Sequence, residues 1–236
     1  MPADPRLAPD PSALTLLLVR HGRTRYNEEH RIQGWVDSEI TERGMEGVRA
    51  TAEWLRDARL QAAYASSSGR TLATAEAIVA HHPHVEVVPH DGLRELHFGV
   101  FEAQPEERTA DRQQWLEVFR GILDGTHPGF PGGESARTYL DRVHGAFDAI
   151  LQRHGVGDTV LVVSHGMTLT TALARWGSVP PRALGNASVT VVRVRDDGTP
   201  DAVLVGHDPS GLGVVGGEQP TAEAEAARRE GADDSP

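Results

Sequence analysis

Two apolar stretches of the chain end alike. Leu16, Leu17, Leu18 and Val19 run into Arg20, His21 and Gly22, while Val160, Leu161, Val162 and Val163 run into Ser164, His165 and Gly166. An imidazole at the end of a buried strand can serve as nucleophile or base. The glycine after each histidine permits a tight turn and close backbone approach, and the N–H groups beyond it can face an anion. Arg70 follows a Ser/Gly turn at 66–69, in the first turn of an expected helix. A guanidinium there can fork onto phosphate or carboxylate oxygens. Glu95 lies in the stretch LRELHFG. A carboxylate beside an anion is repelled by it, so this one makes sense as a protonated acid that donates to a leaving oxygen. Arg20, His21, Arg70, Glu95 and His165 together suit phosphoryl transfer, which asks mainly for positioning and positive charge. One histidine can take the phosphoryl group. The guanidinium groups and the other imidazole supply the charge, so the chemistry calls for no metal and no cofactor.

The tripeptide alone carries little. Arg153, His154 and Gly155 repeat it at the end of a long helical pattern, before the polar turn GVGDT. That copy suits a helix C-terminus with Gly155 just past the end. Position at the end of an apolar strand is what separates the other two.

The elements that must hold these residues follow from periodicity. TLLLVRHG reads as a strand buried on both faces, and TVLVVSHG repeats it. AAYASS, VEVVPH and ASVTVVRV read as further strands. Helices are expected over 41–58 with Thr41 as N-cap, over 70–81, over 134–153 and over 167–176. The alternation predicts an α/β fold with a mostly parallel central sheet covered by helices on both faces. In such sheets ligands bind beyond the carboxyl ends of the strands, where both histidines fall. The segment 103–133 is the least regular and is expected to form an insertion over one sheet edge. Residues 1–13 read as a flexible lead, 14–215 as the folded domain and 216–236 as a disordered acidic tail.

Bulk properties set limits on partners. The chain has 236 residues, a formal net charge of -11 and no cysteine. Thiol nucleophiles, thiolate metal sites and disulfides are excluded. The acidic balance disfavours nucleic acid and anionic membranes as partners, without forbidding a local cationic pocket. No apolar run is long enough to span a bilayer, and MPADPRLAPDPSA lacks the pattern of a signal peptide. A cytoplasmic protein acting on a small phosphorylated substrate is the expectation, and a homodimer is compatible with it.

Taken in order, LVRHGRTRYN, YASSSGRTLATA, LRELHFGVFE, PGGES and VLVVSHGMT resemble the histidine phosphatase superfamily, the phosphoglycerate mutase-like group. The resemblance covers about residues 14–195. It implies a three-layer α/β/α sandwich and a phosphohistidine at His21. It further implies that Arg20, Arg70 and His165 bind the phosphoryl oxygens, and that Glu95 acts as proton donor and then as base. Asn27 matches the family's pocket asparagine. RIQG at 31–34 matches its substrate-edge loop, which brings in Gln33 and Gly34, and Gly166 joins them through its backbone. Two departures stand out. Ser66 is followed by Ser67, Ser68 and Gly69, and Gly99 by Val100, Phe101, Glu102 and Ala103. QPEERTADRQQ then follows without the lysine of the cofactor-dependent mutases, which favours a phosphatase. LGNASVT resembles a block of phosphatases acting on small metabolites.

Other features take plainer readings. A proline interrupts the histidines at 81–84, which suits an exposed helix end rather than a metal site. Trp115 and Phe119 fall four apart, as on one helix face. The glycines before Glu134 mark the turn into the long helix, with Glu134 facing its positive end.

Overall fold

The computed structural model describes residues 4–108, 112–177 and 183–212. Chain order is β1 (Ala13–Arg20), α1 (Arg25–Glu28), α2 (Glu42–Leu55), β2 (Ala62–Ala65), α3 (Gly69–Val79), β3 (Val87–Pro89), α4 (Arg112–Leu123), α5 (Ala136–Arg153), β4 (Thr159–Ser164), α6 (Gly166–Arg175), β5 (Val189–Arg195) and β6 (Pro200–His207). The sheet order is β3-β2-β4-β1-β5-β6. The first four strands in that order are mutually parallel, whereas β5 and β6 are antiparallel to their neighbours. The expectation of a mostly parallel sheet therefore holds, with β5 running opposite to the other five strands.

β5 and β6 are joined by a tight turn in which Gly198 has φ 79° and Arg195 N donates to Thr199 O. The Asp197-Gly198 pair is a hairpin signal, and a hairpin makes its strands antiparallel. β6 itself was not expected from the sequence.

Successive side chains of a strand point to opposite faces. Leu14, Leu16 and Leu18 pack with Tyr139, Val143 and Phe147 of α5 and Leu169 of α6. Leu17 and Val19 pack with Ala52 and Leu55 of α2 and with Ala75 and Ile78 of α3. Helices thus cover both faces of the sheet, giving the three-layer α/β/α arrangement. Thr41 caps α2 through Gly44 N, as expected, while α5 begins at Ala136, about two residues later than expected, with Ser135 as its cap.

Three expectations are corrected. The N-terminal lead is tied down from Asp4 onward: Leu7 lies in the core beside Leu17, and Asp10 pairs with Arg193 at 3.3 Å. Within 103–133, α4 packs on α5 rather than over a sheet edge, and Ile122 is buried there while Trp115 stacks with Phe98, Phe119 and Phe130. Past α5, His154 is the cap and bonds Tyr64 Oη, and the left-handed residue is Gly157 rather than Gly155. The histidines at 81–84 form an exposed helix end only in part, because His82, just past α3, is buried, and no group of metal-ligating side chains forms among the described residues. No helix among them is long and apolar enough to cross a membrane. The tail at 216–236 lies outside the described residues.

Candidate active site

β1 and β4 are adjacent and parallel, with Arg20 in register with Ser164. The next residue of each strand is a histidine, so the pairing alone brings the two imidazoles together. Their ring centroids are 5.3 Å apart, edge to face. Both side chains are buried.

His21 Nδ1 donates to the Gly22 carbonyl at 2.8 Å. A carbonyl can only accept, so the proton sits on Nδ1 and Nε2 keeps its lone pair. Burial, reinforced by the charges of Arg70 and Arg20, holds this imidazole well below the ordinary histidine range. His165 has the opposite tautomer. Its Nδ1 faces Arg70 Nη2 at 3.0 Å, and a guanidinium can only donate. The proton is therefore on Nε2, which donates to Ser66 Oγ at 2.8 Å. Burial followed by the charge of Arg70 keeps His165 neutral as well.

Arg70 is fixed from α3 into the loop after α1. Nη1 donates to Val36 O and Asp37 Oδ1, and Nη2 to Gly34 O as well as to His165. Arg20 Nη1 donates to Leu184 O at 2.6 Å. Each guanidinium retains a buried Nε–H without a protein acceptor. Buried donors are normally satisfied, so these two suit a ligand with acceptor oxygens. Gly166 opens α6 beside Arg20: a Cβ there would lie 3.4 Å from the guanidinium carbon.

Glu95 is buried against the start of α6. Its Oε2 accepts from Met167 N at 3.0 Å, and Oε1 accepts from Leu96 N and Thr168 Oγ1, both at 3.1 Å. Burial pushes the carboxyl up, opposed by these three donors and by Arg70. Its main-chain carbonyl accepts from Trp35 Nε1 and from Arg142 Nη2. Arg142 also donates to Gly92 O, Arg94 O and Glu134, so α5 grips the segment that carries Glu95.

The remaining expected residues lie at the margin. Asn27 Oδ1 accepts from Thr24 N and from Asn186 Nδ2, and Asn186 also donates to His21 O. Asn27 thus completes the capping box of α1 and reaches the His21 backbone through Asn186. Gln33 Oε1 accepts from Thr24 Oγ1, while its Nε2 is buried without a partner. Gly34 contributes its carbonyl to Arg70, and a Cβ there would meet Leu96 O at 2.4 Å. Sequence reasoning missed Ser66, Asp37, Thr168, Asn186 and Arg142. Ser66 is the first of three consecutive serines, and Asn186 lies in the block LGNASVT, so both carried faint signals. The others look like ordinary loop or helix residues until the fold joins them to the site.

The family model of the histidine phosphatase superfamily (branch 1) matches residues 16–206. A relative from Salmonella choleraesuis (strain SC-B67), named as a probable phosphoglycerate mutase GpmB, is 38% identical over 158 residues, 66% of this chain and 71% of its own. The crystal structure of phosphoglycerate mutase from Bacillus anthracis str. Sterne aligns with a TM-score of 0.76 at 28% identity, covering 85% of this chain and 96% of the other. The alpha-ribazole phosphatase from Shigella flexneri shares the fold, with a TM-score of 0.69 at 20% identity over 87% of this chain and all (100%) of the other. One fold thus serves proteins named for mutase and for phosphatase activity, and the choice between them belongs to the site. With the matched span enclosing every one of the expected site residues, the chain belongs to the histidine phosphatase superfamily, branch 1.

Proposed function

We propose that this chain is a cytoplasmic, metal-independent phosphomonoesterase that hydrolyses small phosphorylated metabolites through a phosphohistidine on His21. The observation that carries the reading is the bond from His21 Nδ1 to Gly22 O, which leaves a buried, neutral Nε2 with its lone pair exposed to attack chemistry. In the first step Nε2 forms a bond to phosphorus and the ester P–O bond breaks. The carboxyl proton of Glu95 passes to the departing oxygen, giving the free alcohol. In the second step water attacks phosphorus, the N–P bond breaks, and Glu95 takes the water proton as inorganic phosphate leaves. Arg20 and Arg70 balance the phosphoryl charge, and neutral His165, whose Nε2 carries the proton, can turn that donor from Ser66 to a phosphoryl oxygen. The organic part of the metabolite is read by the 31–39 loop and the 103–133 segment.

The name of the 38% identical relative favours a second reading, a phosphoglycerate mutase, in which bound substrate recaptures the phosphoryl group before water does. The lysine-free stretch after Gly99 supports hydrolysis instead. Phosphate release from p-nitrophenyl phosphate, sugar phosphates and phosphoglycerates, measured in EDTA, tests both. Rapid release in EDTA with none from a folded His21→Ala variant is expected. Residual activity of that variant within about tenfold of wild type removes His21 as nucleophile, since loss of a covalent catalyst costs far more. Conversion of 3-phosphoglycerate to 2-phosphoglycerate without phosphate release selects the mutase.

A further inference from the structure

Glu95 has to hold a proton in one step and lose it in the next, inside a buried site. Three groups bond its carboxyl. Two are the backbone N–H groups of Leu96 and Met167, which donate in either state and cannot reorient. The third is the hydroxyl of Thr168, in the first turn of α6, and it can rotate.

Thr168 is fully buried and sits between two acceptors of the acid's own segment. Its Oγ1 is 3.0 Å from Arg94 O and 3.1 Å from Glu95 Oε1. One hydroxyl proton can serve only one of them at a time. Behind it, Tyr139 Oη donates to Thr168 Oγ1 at 3.3 Å and shares a 3.3 Å contact with Thr171 Oγ1. All three hydroxyl groups are on buried residues. With the phenol proton engaging one lone pair, the Thr168 proton is directed toward the 94–95 segment.

We propose that Thr168 is a positioning residue that sets the protonation equilibrium of Glu95 by turning its single hydroxyl proton between Arg94 O and Glu95 Oε1. The proposal rests on the reading of Glu95 as acid and base. While the carboxyl is protonated, Arg94 O takes the Thr168 proton. When Glu95 gives its proton to the leaving oxygen, the hydroxyl turns to Oε1 and stabilises the new charge. No bond other than these hydrogen bonds changes. The other charged and titratable groups around the carboxyl stay in place. Arg20 lies at the end of β1 and Arg70 in α3, and both act on Glu95 by charge. Tyr139 in α5 is kept neutral by burial, Arg142 in α5 bonds the Glu95 carbonyl, and His165 caps α6 in its neutral form.

The test is the pH dependence of kcat/KM on an alkyl phosphate, for wild type, Thr168→Val, Thr168→Ser and Glu95→Gln. A donor to the charged form lowers an acid's pKa, so its removal keeps Glu95 protonated to higher pH. The alkaline limb of Thr168→Val is expected to move up by about one pH unit, the size of one lost bond to a charged group. Thr168→Ser is expected to restore the wild-type limb. A merely structural role would lower the rate without moving the limb, and an unmoved limb in Thr168→Val overturns the proposal. Should that variant fail to fold, Thr168→Ala removes the same hydroxyl and is read the same way. Glu95→Gln is expected to lose the alkaline limb; if it keeps the limb, the acid assignment of Glu95 itself falls, a result distinct from an unmoved limb in Thr168→Val alone.

Discussion

A histidine opens a phosphoester only while one ring nitrogen carries a lone pair. His21 meets that demand through a single backbone carbonyl, and His165 has the opposite tautomer because Arg70 faces its Nδ1. Two neighbouring imidazoles therefore hold complementary tautomers without either being charged. In the proposed mechanism Glu95 is the counterpart on the leaving-group side, a carboxyl raised by burial and steadied by three donors. Its contribution depends on how badly the departing oxygen needs a proton. Glu95→Gln is expected to slow alkyl phosphates by about 100-fold or more while slowing p-nitrophenyl phosphate far less, within the usual range of general acid catalysis. Steady-state kinetics on the two ester classes check this, and equal losses on both would count against the acid role.

Among the elements, the β1–β4 pairing and the α5–α6 layer do separate jobs. The strand pairing sets the histidines side by side through backbone register. The helices position Glu95: α6 offers the Met167 N–H and the Thr168 hydroxyl, and α5 extends Arg142 to three carbonyls of the 92–95 segment. Arg142 faces Glu134 as a largely buried pair, so removing the charge would leave a carboxylate stranded. Arg142→Lys keeps the charge but cannot reproduce the planar fork. It is expected to lower kcat by on the order of tenfold to a hundredfold with little change in KM, as a displaced acid would. A rise in KM at unchanged kcat would instead make Arg142 a substrate contact.

For the molecule as a whole, a site built from buried neutral histidines makes stability depend on pH. Both histidines have their folded pKa depressed, chiefly by burial. Below about pH 6.5 the unfolded chain takes up protons that the folded chain refuses, so stability falls as pH drops. Each such histidine contributes up to about 1.4 kcal/mol per pH unit in that range. Glu95 works the other way: its folded pKa is raised, so stability falls as pH rises from about 4.3 toward its folded value. Thermal unfolding from pH 7.5 to pH 5.5 is expected to show a falling Tm in wild type and a shallower fall in His21→Gln. Equal slopes would mean that His21 titrates normally in the folded protein.

Much of this was legible along the chain. Apolar runs ending in histidine and glycine placed both imidazoles at strand ends, because burial on two faces leaves a recognisable continuous pattern. The order of the motif blocks pointed to the superfamily and to Arg20, Arg70 and Glu95. What the chain by itself determined is therefore local: which residues are candidates for the chemistry and which elements present them. Only the tertiary structure decided the rest, because it depends on groups far apart in sequence. The tautomer of His165 follows from Arg70, 95 positions away, and the grip on Glu95 from Arg142 and Thr168. The antiparallel end of the sheet, the docking of Leu7 and the seating of α4 on α5 are likewise outcomes of packing. Hydrogen-bond direction and burial are properties of neighbours in space, and a one-dimensional pattern records neighbours only when they also repeat along the chain.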